Sequence, residues 1–199
     1  MLARIENDTI AERRDITMAD VPVHKQANWR PLVVDKPAFD GRLYTETGPT
    51  VTITADEARE TWTLTAKPLD VVKAVFHSAV DDDAEQIRLK YVTPGDGMMM
   101  TYREKLEQAE QAVAQGQAAI DALTTEEETA AYPTLSASVG IEAATLWDCA
   151  QLVLTTYQQW AVLSNAIEKT RLAGKKAISD AGNVDDVKTA YDAINWGAL

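Results

Sequence analysis

Residues 94–108, PGDGMMMTYREKLEQ, set two glycines and three consecutive methionines ahead of a charged, helix-forming run. Glycines at a helix start can cradle a phosphate on backbone N–H groups, and methionines can line an adaptable apolar groove. The first chemistry needs GxxxxGK[ST] after a strand, with its lysine reaching the phosphates. Here that lysine is missing and the preceding residues read as a helix. Met98, Met99 and Met100 are adjacent, so on a helix they point in three directions and cannot line one groove. Pro94 with Gly95 and Gly97 reads as a helix break, and the stretch is expected to be a hinge packed by its methionines.

The other reactive side chains are scattered. His24 and His77 have no Cys or His neighbour at metal-ligand spacing. Cys149 lies beside Val153 on an apolar helical face, the place of a small buried hydrophobe and not of a nucleophile. Neither GxSxG nor HExxH occurs. The acidic runs at 81–83 and 126–128 read as solvated loops or helix ends. Trp29, Trp62, Trp147, Trp160 and Trp196 are spread along the chain, which fits packing anchors better than a platform for stacking bases. The expectation is a protein that is not an enzyme, with no metal and no cofactor.

Composition narrows the partners. The 199 residues carry a net charge of −12, which disfavours nucleic acid and anionic membrane. With 46% hydrophobic residues the chain can build a core, so disorder is excluded. One cysteine rules out an intramolecular disulfide and suits a reducing compartment. No apolar run approaches the ~18 residues of a membrane span, and MLARIENDTIAERR lacks the apolar stretch of a signal peptide, so a protein made in a cytoplasm is expected.

The elements fall into two regions, predicting an α+β chain. Residues 1–68 form a small β-rich module: LARIE and TIAERR read as a hairpin turning at Asn7-Asp8, and VTIT and TWTLTA alternate like half-buried strands. Five of the seven prolines fall here, giving short extended segments joined by turns. Residues 69–199 read as helical and coiled-coil-like. From 102 to 123 a seam of Tyr102, Leu106, Ala109, Val113, Gly116, Ile120 and Leu123 alternates spacings of four and three. Thr145 then caps a helix of nearly forty residues, with Leu146, Val153, Trp160 and Ile167 seven apart and Leu163 on the second seam position. Trp160 and Leu163 are expected to be buried. Small residues at Ala109, Gly116, Gly174 and Ala177 would let another helix approach closely. The seam predicts a homo-oligomer, with three copies favoured by the usual symmetry of fibres. Asn183 caps a last helix, VDDVKTAYDAIN.

Several segments together resemble one family: ANWRPL at 27–32, PTVTITADEARETWTLTAKPLD at 49–70, TPGDGMMMTYREKLEQAE at 93–110, AYPTLSASVG at 131–140, and IEKTRLAGKKAISDAGNVDDVKTAYDAINW at 167–196. The chain resembles the small tail-fibre-associated and tail-fibre-assembly proteins of bacteriophages and prophages, in order over nearly its whole length. The resemblance implies a β-rich N-terminal part ahead of a helical one, no catalytic residues, other tail or tail-fibre proteins as partners, and the virion tail as the destination of a chain made in the host cytoplasm. It leaves two roles open, an adaptor or baseplate-associated virion component, or a chaperone that folds or trimerises the fibre. Its acidity leaves a third, an inhibitor of a host protein acting by charge mimicry. Within the β-rich module, Trp29, Arg30 and Trp62 have the composition of interface anchors and are expected to be exposed.

Overall fold

The computed structural model of the chain describes residues 1–92 and 95–198, so Thr93 and Pro94 of the expected hinge lie outside the described residues. Five strands, β1 (Leu2–Glu6), β2 (Thr9–Arg14), β3 (Trp29–Asp35), β4 (Tyr44–Ile53) and β5 (Ala58–Ala66), form one sheet in the order β2-β1-β3-β5-β4. The first hairpin turns where expected. Asn7 and Asp8 both adopt positive φ, 50° and 56°, the conformation that two-residue hairpin turns require. All pairs are antiparallel except β3 and β5, which run parallel, with Leu32 opposite Ala58 and Val34 opposite Glu60. The sheet curls enough that its two edge strands, β2 and β4, approach each other.

Among the described residues the α-helices that follow are α1 (Leu69–Arg88), α2 (Asp96–Gln115), α3 (Gln117–Ile120), α4 (Thr125–Ala131), α5 (Pro133–Ser136), α6 (Leu146–Asp180) and α7 (Val184–Asp192). The chain is thus mixed α and β, a curled N-terminal sheet followed by a long C-terminal helix of 35 residues. Every strand falls before residue 68, yet the compact units divide elsewhere: residues 1–76 with 178–190, and residues 77–177 with 191–199.

In the first unit, Leu2, Val21 and Trp29 make one small core cluster, and Ala3, Leu32 and Ala58 make another. Residues 178–190 belong here for identifiable reasons. The Tyr44 hydroxyl donates to Asp185 at 2.7 Å, and Lys73 Nζ donates to the Ser179 carbonyl at 2.7 Å. Asn183 caps α7 as expected, its Oδ1 accepting from the Asp186 N–H at 2.9 Å.

In the second unit, α2, α3, α5 and the first turns of α6 enclose Ala109, Ala112, Ile120, Tyr132, Leu135, Leu146 and Cys149. The buried Gln108 supports that core: its Oε1 accepts from the N–H groups of Thr134 and Leu135 at 3.0 and 2.9 Å, satisfying donors that the start of α5 leaves unpaired. Thr145 Oγ1 accepts from the Asp148 N–H at 3.1 Å, the expected cap of α6.

Three expectations need correction. The 102–123 helix is not continuous: Gly116 takes φ +90° between α2 and α3, so the seam is broken there. At the other end, α2 extends back to Asp96, which makes Met98–Met100 its first turns, and they are exposed instead of packing a hinge. The run at 81–83 is neither loop nor helix end but interior to α1, where Asp81 pairs with Arg171 and with Lys175 Nζ at 2.6 Å, and Asp83 accepts from the Tyr191 hydroxyl at 2.8 Å. The 126–128 run does fall at a helix start, in the first turn of α4, where Thr124 and Glu127 form a reciprocal capping box.

Candidate functional site

The three expected anchors lie on neighbouring strands, but they are not alike. Trp29 is 5% exposed, closed over by Leu2 and Val21, with the Arg14 guanidinium 5.9 Å from its ring centroid. Its ring is core, and the expectation of an exposed anchor there is corrected. Trp29 opens β3 where the strand pairs with β1, so its side chain is held against the 3-10 turn at Met18–Asp20 that brings Val21 over it. Arg30 is half-buried and tied to backbone oxygens. Its Nη1 donates to Ala27 at 2.7 Å and to Trp29 at 2.9 Å, and its Nε to Thr54 at 3.4 Å. Trp62 is half-buried, with Lys36 Nζ 5.4 Å from its centroid.

Trp62 belongs to a surface that the sequence did not reveal. On β5, Ala58, Glu60 and Trp62 alternate onto one face of the sheet. Residues opposite Glu60 share that face: Val34 on β3 and Val51 on β4, both exposed. Glu60 itself is only 4% exposed, and Arg13 reaches it from the edge strand β2. Near Trp62, Lys36 Nζ pairs with Glu46 Oε2 at 2.9 Å, while Glu46 Oε1 is buried without a hydrogen-bond partner. The face therefore sets the apolar Val34, Val51 and Trp62 beside the paired carboxylates of Glu60 and Glu46. Val34 escaped notice because β3 reads as an apolar run, WRPLVVD, in which inward and outward residues look the same.

The expected helical seam is partly closed within the chain. Ile120, Leu146 and Ile167 are buried, while Leu106, Val113, Val153, Trp160 and Leu163 are half-buried, so Trp160 and Leu163 are less enclosed than expected. Gly174 does permit close approach, but the neighbour is Ile194 of the same chain. Ala177 is exposed. Between Ala150 and Ile167 no residue of α6 is buried.

The electrostatics are those of a framework. Lys175 and Arg171 hold the Asp81 carboxyl below its usual range, Arg171 does the same to Glu168, and Arg88 adds a 2.9 Å pair with Glu168. Burial pushes the Cys149 thiol up, away from the reactive thiolate. Among the described residues no group of three or more His, Cys, Asp or Glu is placed to hold a metal ion, and no helix is long and apolar enough to cross a membrane. No protein-family model, no curated protein and no solved structure matches the chain.

Proposed function

We propose that the chain is a non-enzymatic structural protein of a bacteriophage tail. In this reading it is an adaptor or a fibre- or baseplate-associated virion component, which connects or supports the receptor-binding fibre. The N-terminal sheet would dock on another tail protein, and the coiled-coil-like helical part would hold copies of the chain together. One observation carries it, beside the resemblance to tail-fibre-associated proteins. Helix α6 runs 35 residues, about 52 Å at 1.5 Å per residue, and its middle four turns bury nothing completely in their own chain. A helix of that length gains most of its stability from packing, so a middle that its own chain covers only in part leaves a surface for a neighbour.

The reading is tested by mass spectrometry of purified virions, where the chain should appear in fixed ratio to known tail proteins. Truncation separates the two parts. Residues 69–199 should fail to co-purify with tails, and so should a full-length Val34→Glu, Val51→Glu variant of the sheet face. A fragment and a variant that both remain on the virion would defeat this division of labour.

A second reading, an assembly chaperone for the fibre, is favoured by the first turns of α2. Met99 and Met100 are 70% and 73% exposed there, and flexible thioether side chains suit a client that is bound and released. The chaperone would be bound to fibre protein in infected cells and missing from the finished virion.

A further inference from the structure

We infer that α6 pairs with α6 of a second copy, antiparallel about a two-fold axis at Gln159, through a stripe different from the seam that closes inside the chain. The inference sharpens the self-association proposed above and does not depend on a tail context. Residues 149–167 contain no Asp, Glu, Lys, Arg or His, in a chain whose net charge is −12. An uncharged, outward-facing helix surface is where two strongly acidic copies can meet without like charges opposing.

The stripe is self-complementary. Asp148, Leu152, Thr155, Gln159, Val162, Ala166 and Lys169 follow one another at spacings of four and three, which keeps them on one side of the helix. All are exposed except the half-buried Ala166, and Val162 is 73% exposed. Reversing the helix about Gln159 sets Leu152 level with Ala166 of the other copy, and Thr155 within one residue, about 1.5 Å along the axis, of Val162. Large then meets small at Leu152 and Ala166, the near-isosteric Thr155 and Val162 meet each other, and Gln159 can hydrogen-bond its own equivalent. At both ends Asp148 meets Lys169, and neither side chain makes an ion pair among the described residues. A parallel arrangement would oppose Asp148 to Asp148 and Lys169 to Lys169, so the charge pattern selects the antiparallel one. A partner of other chemistry would have to be uncharged along the same stripe and charged in the reverse order at its ends, a description this helix already satisfies.

Two arms test it on the full chain. Sedimentation equilibrium should show a species of twice 21.8 kDa. Lys169→Asp should raise the dissociation constant by about tenfold, as both ends turn from attraction to repulsion, and Asp148→Lys in the same chain should restore it. In a Cys149→Ala background, Gln159→Cys should cross-link to itself. Leu152→Cys should not, because two such positions lie about 21 Å apart across the axis, but it should cross-link when mixed with Ala166→Cys. A monomer at tens of micromolar, or Leu152→Cys self-linking as readily as Gln159→Cys, overturns the pairing. A monomer still recovered in virions sinks the dimer alone; a dimer missing from virions and bound to no tail protein sinks the tail reading alone.

Discussion

Arg13 on β2 donates through Nε to Oε1 of Glu60 on β5, 2.9 Å away, although β1 and β3 stand between those strands in the sheet. Only a curled sheet brings the two together. Glu60 is buried, so removing its partner leaves a carboxylate without the hydrogen bonds that compensate its desolvation. Arg13 is half-exposed, which moderates the loss. Arg13→Met is expected to destabilise by about 1–3 kcal/mol, and Arg13→Met with Glu60→Leu to recover most of it. Urea unfolding of the four members of the cycle measures this, and equal losses in single and double variants would show that the pair does not couple.

How much of this could be read from sequence follows the range of the interaction. The Asn7-Asp8 turn, the Thr145 cap and the Asn183 cap are fixed by neighbours within four residues, and each is where the residue types placed it. The parallel pairing of β3 with β5 depends on a crossing that no local pattern records. Trp29 looked like an anchor because aromatic residues serve interfaces and cores equally, and only Val21 and Leu2 decide between them. The helical part misled in a different way. A heptad pattern reports that a helix has a partner, not whether that partner is another chain, and Leu146 and Ile167 found theirs at home. In the candidate dimer stripe the legible signal was the missing charge from 149 to 167, which hydrophobic spacing alone does not register.

Asp40 gives a pH dependence. Hydrogen bonds from the Arg42 side chain, with the Arg42 N–H at 2.8 Å, hold its carboxyl down to about 2 from an ordinary 3.8. The folded value lies below the unfolded one. The contribution to stability is therefore complete above about pH 4, declines as pH falls from there towards 2, and is lost below. The guanidinium also sits 4.4 Å from the Phe76 ring centroid, which fixes its position. Asp40→Asn should lower the melting temperature at pH 6, and its difference from the parent should shrink steadily between pH 4 and pH 2. A difference independent of pH would assign the effect to packing.

Cys149 should be slow to react. Burial raises its thiol, its S–H points to the Ala143 carbonyl at 3.9 Å, and the side chain is enclosed in the core of α2, α5 and α6. Alkylation at pH 8 is expected to be at least about tenfold slower in the folded protein than in urea, and to follow the unfolding curve. Fast labelling without denaturant would mean that this core opens readily.

Gly174 lies within α6, where alanine would favour the helix by about 1 kcal/mol. A Cβ at this position would stand 2.5 Å from Ile194 Cδ1 and 3.0 Å from its Cγ1. The δ-methyl can swing aside, but Cγ1 is set closer to the backbone and moves only if Ile194 changes rotamer or the chain shifts. Overpacking of that kind costs about 1–3 kcal/mol, enough to cancel or exceed the gain in propensity. Gly174→Ala is therefore expected to be neutral or destabilising, whereas Gly174→Ala with Ile194→Val, which removes the δ-methyl, should be more stable than Gly174→Ala alone. Thermal unfolding of the single variants and the pair measures the coupling. If Gly174→Ala stabilises by the full propensity term with Ile194 intact, the close approach between these residues is not a constraint on α6.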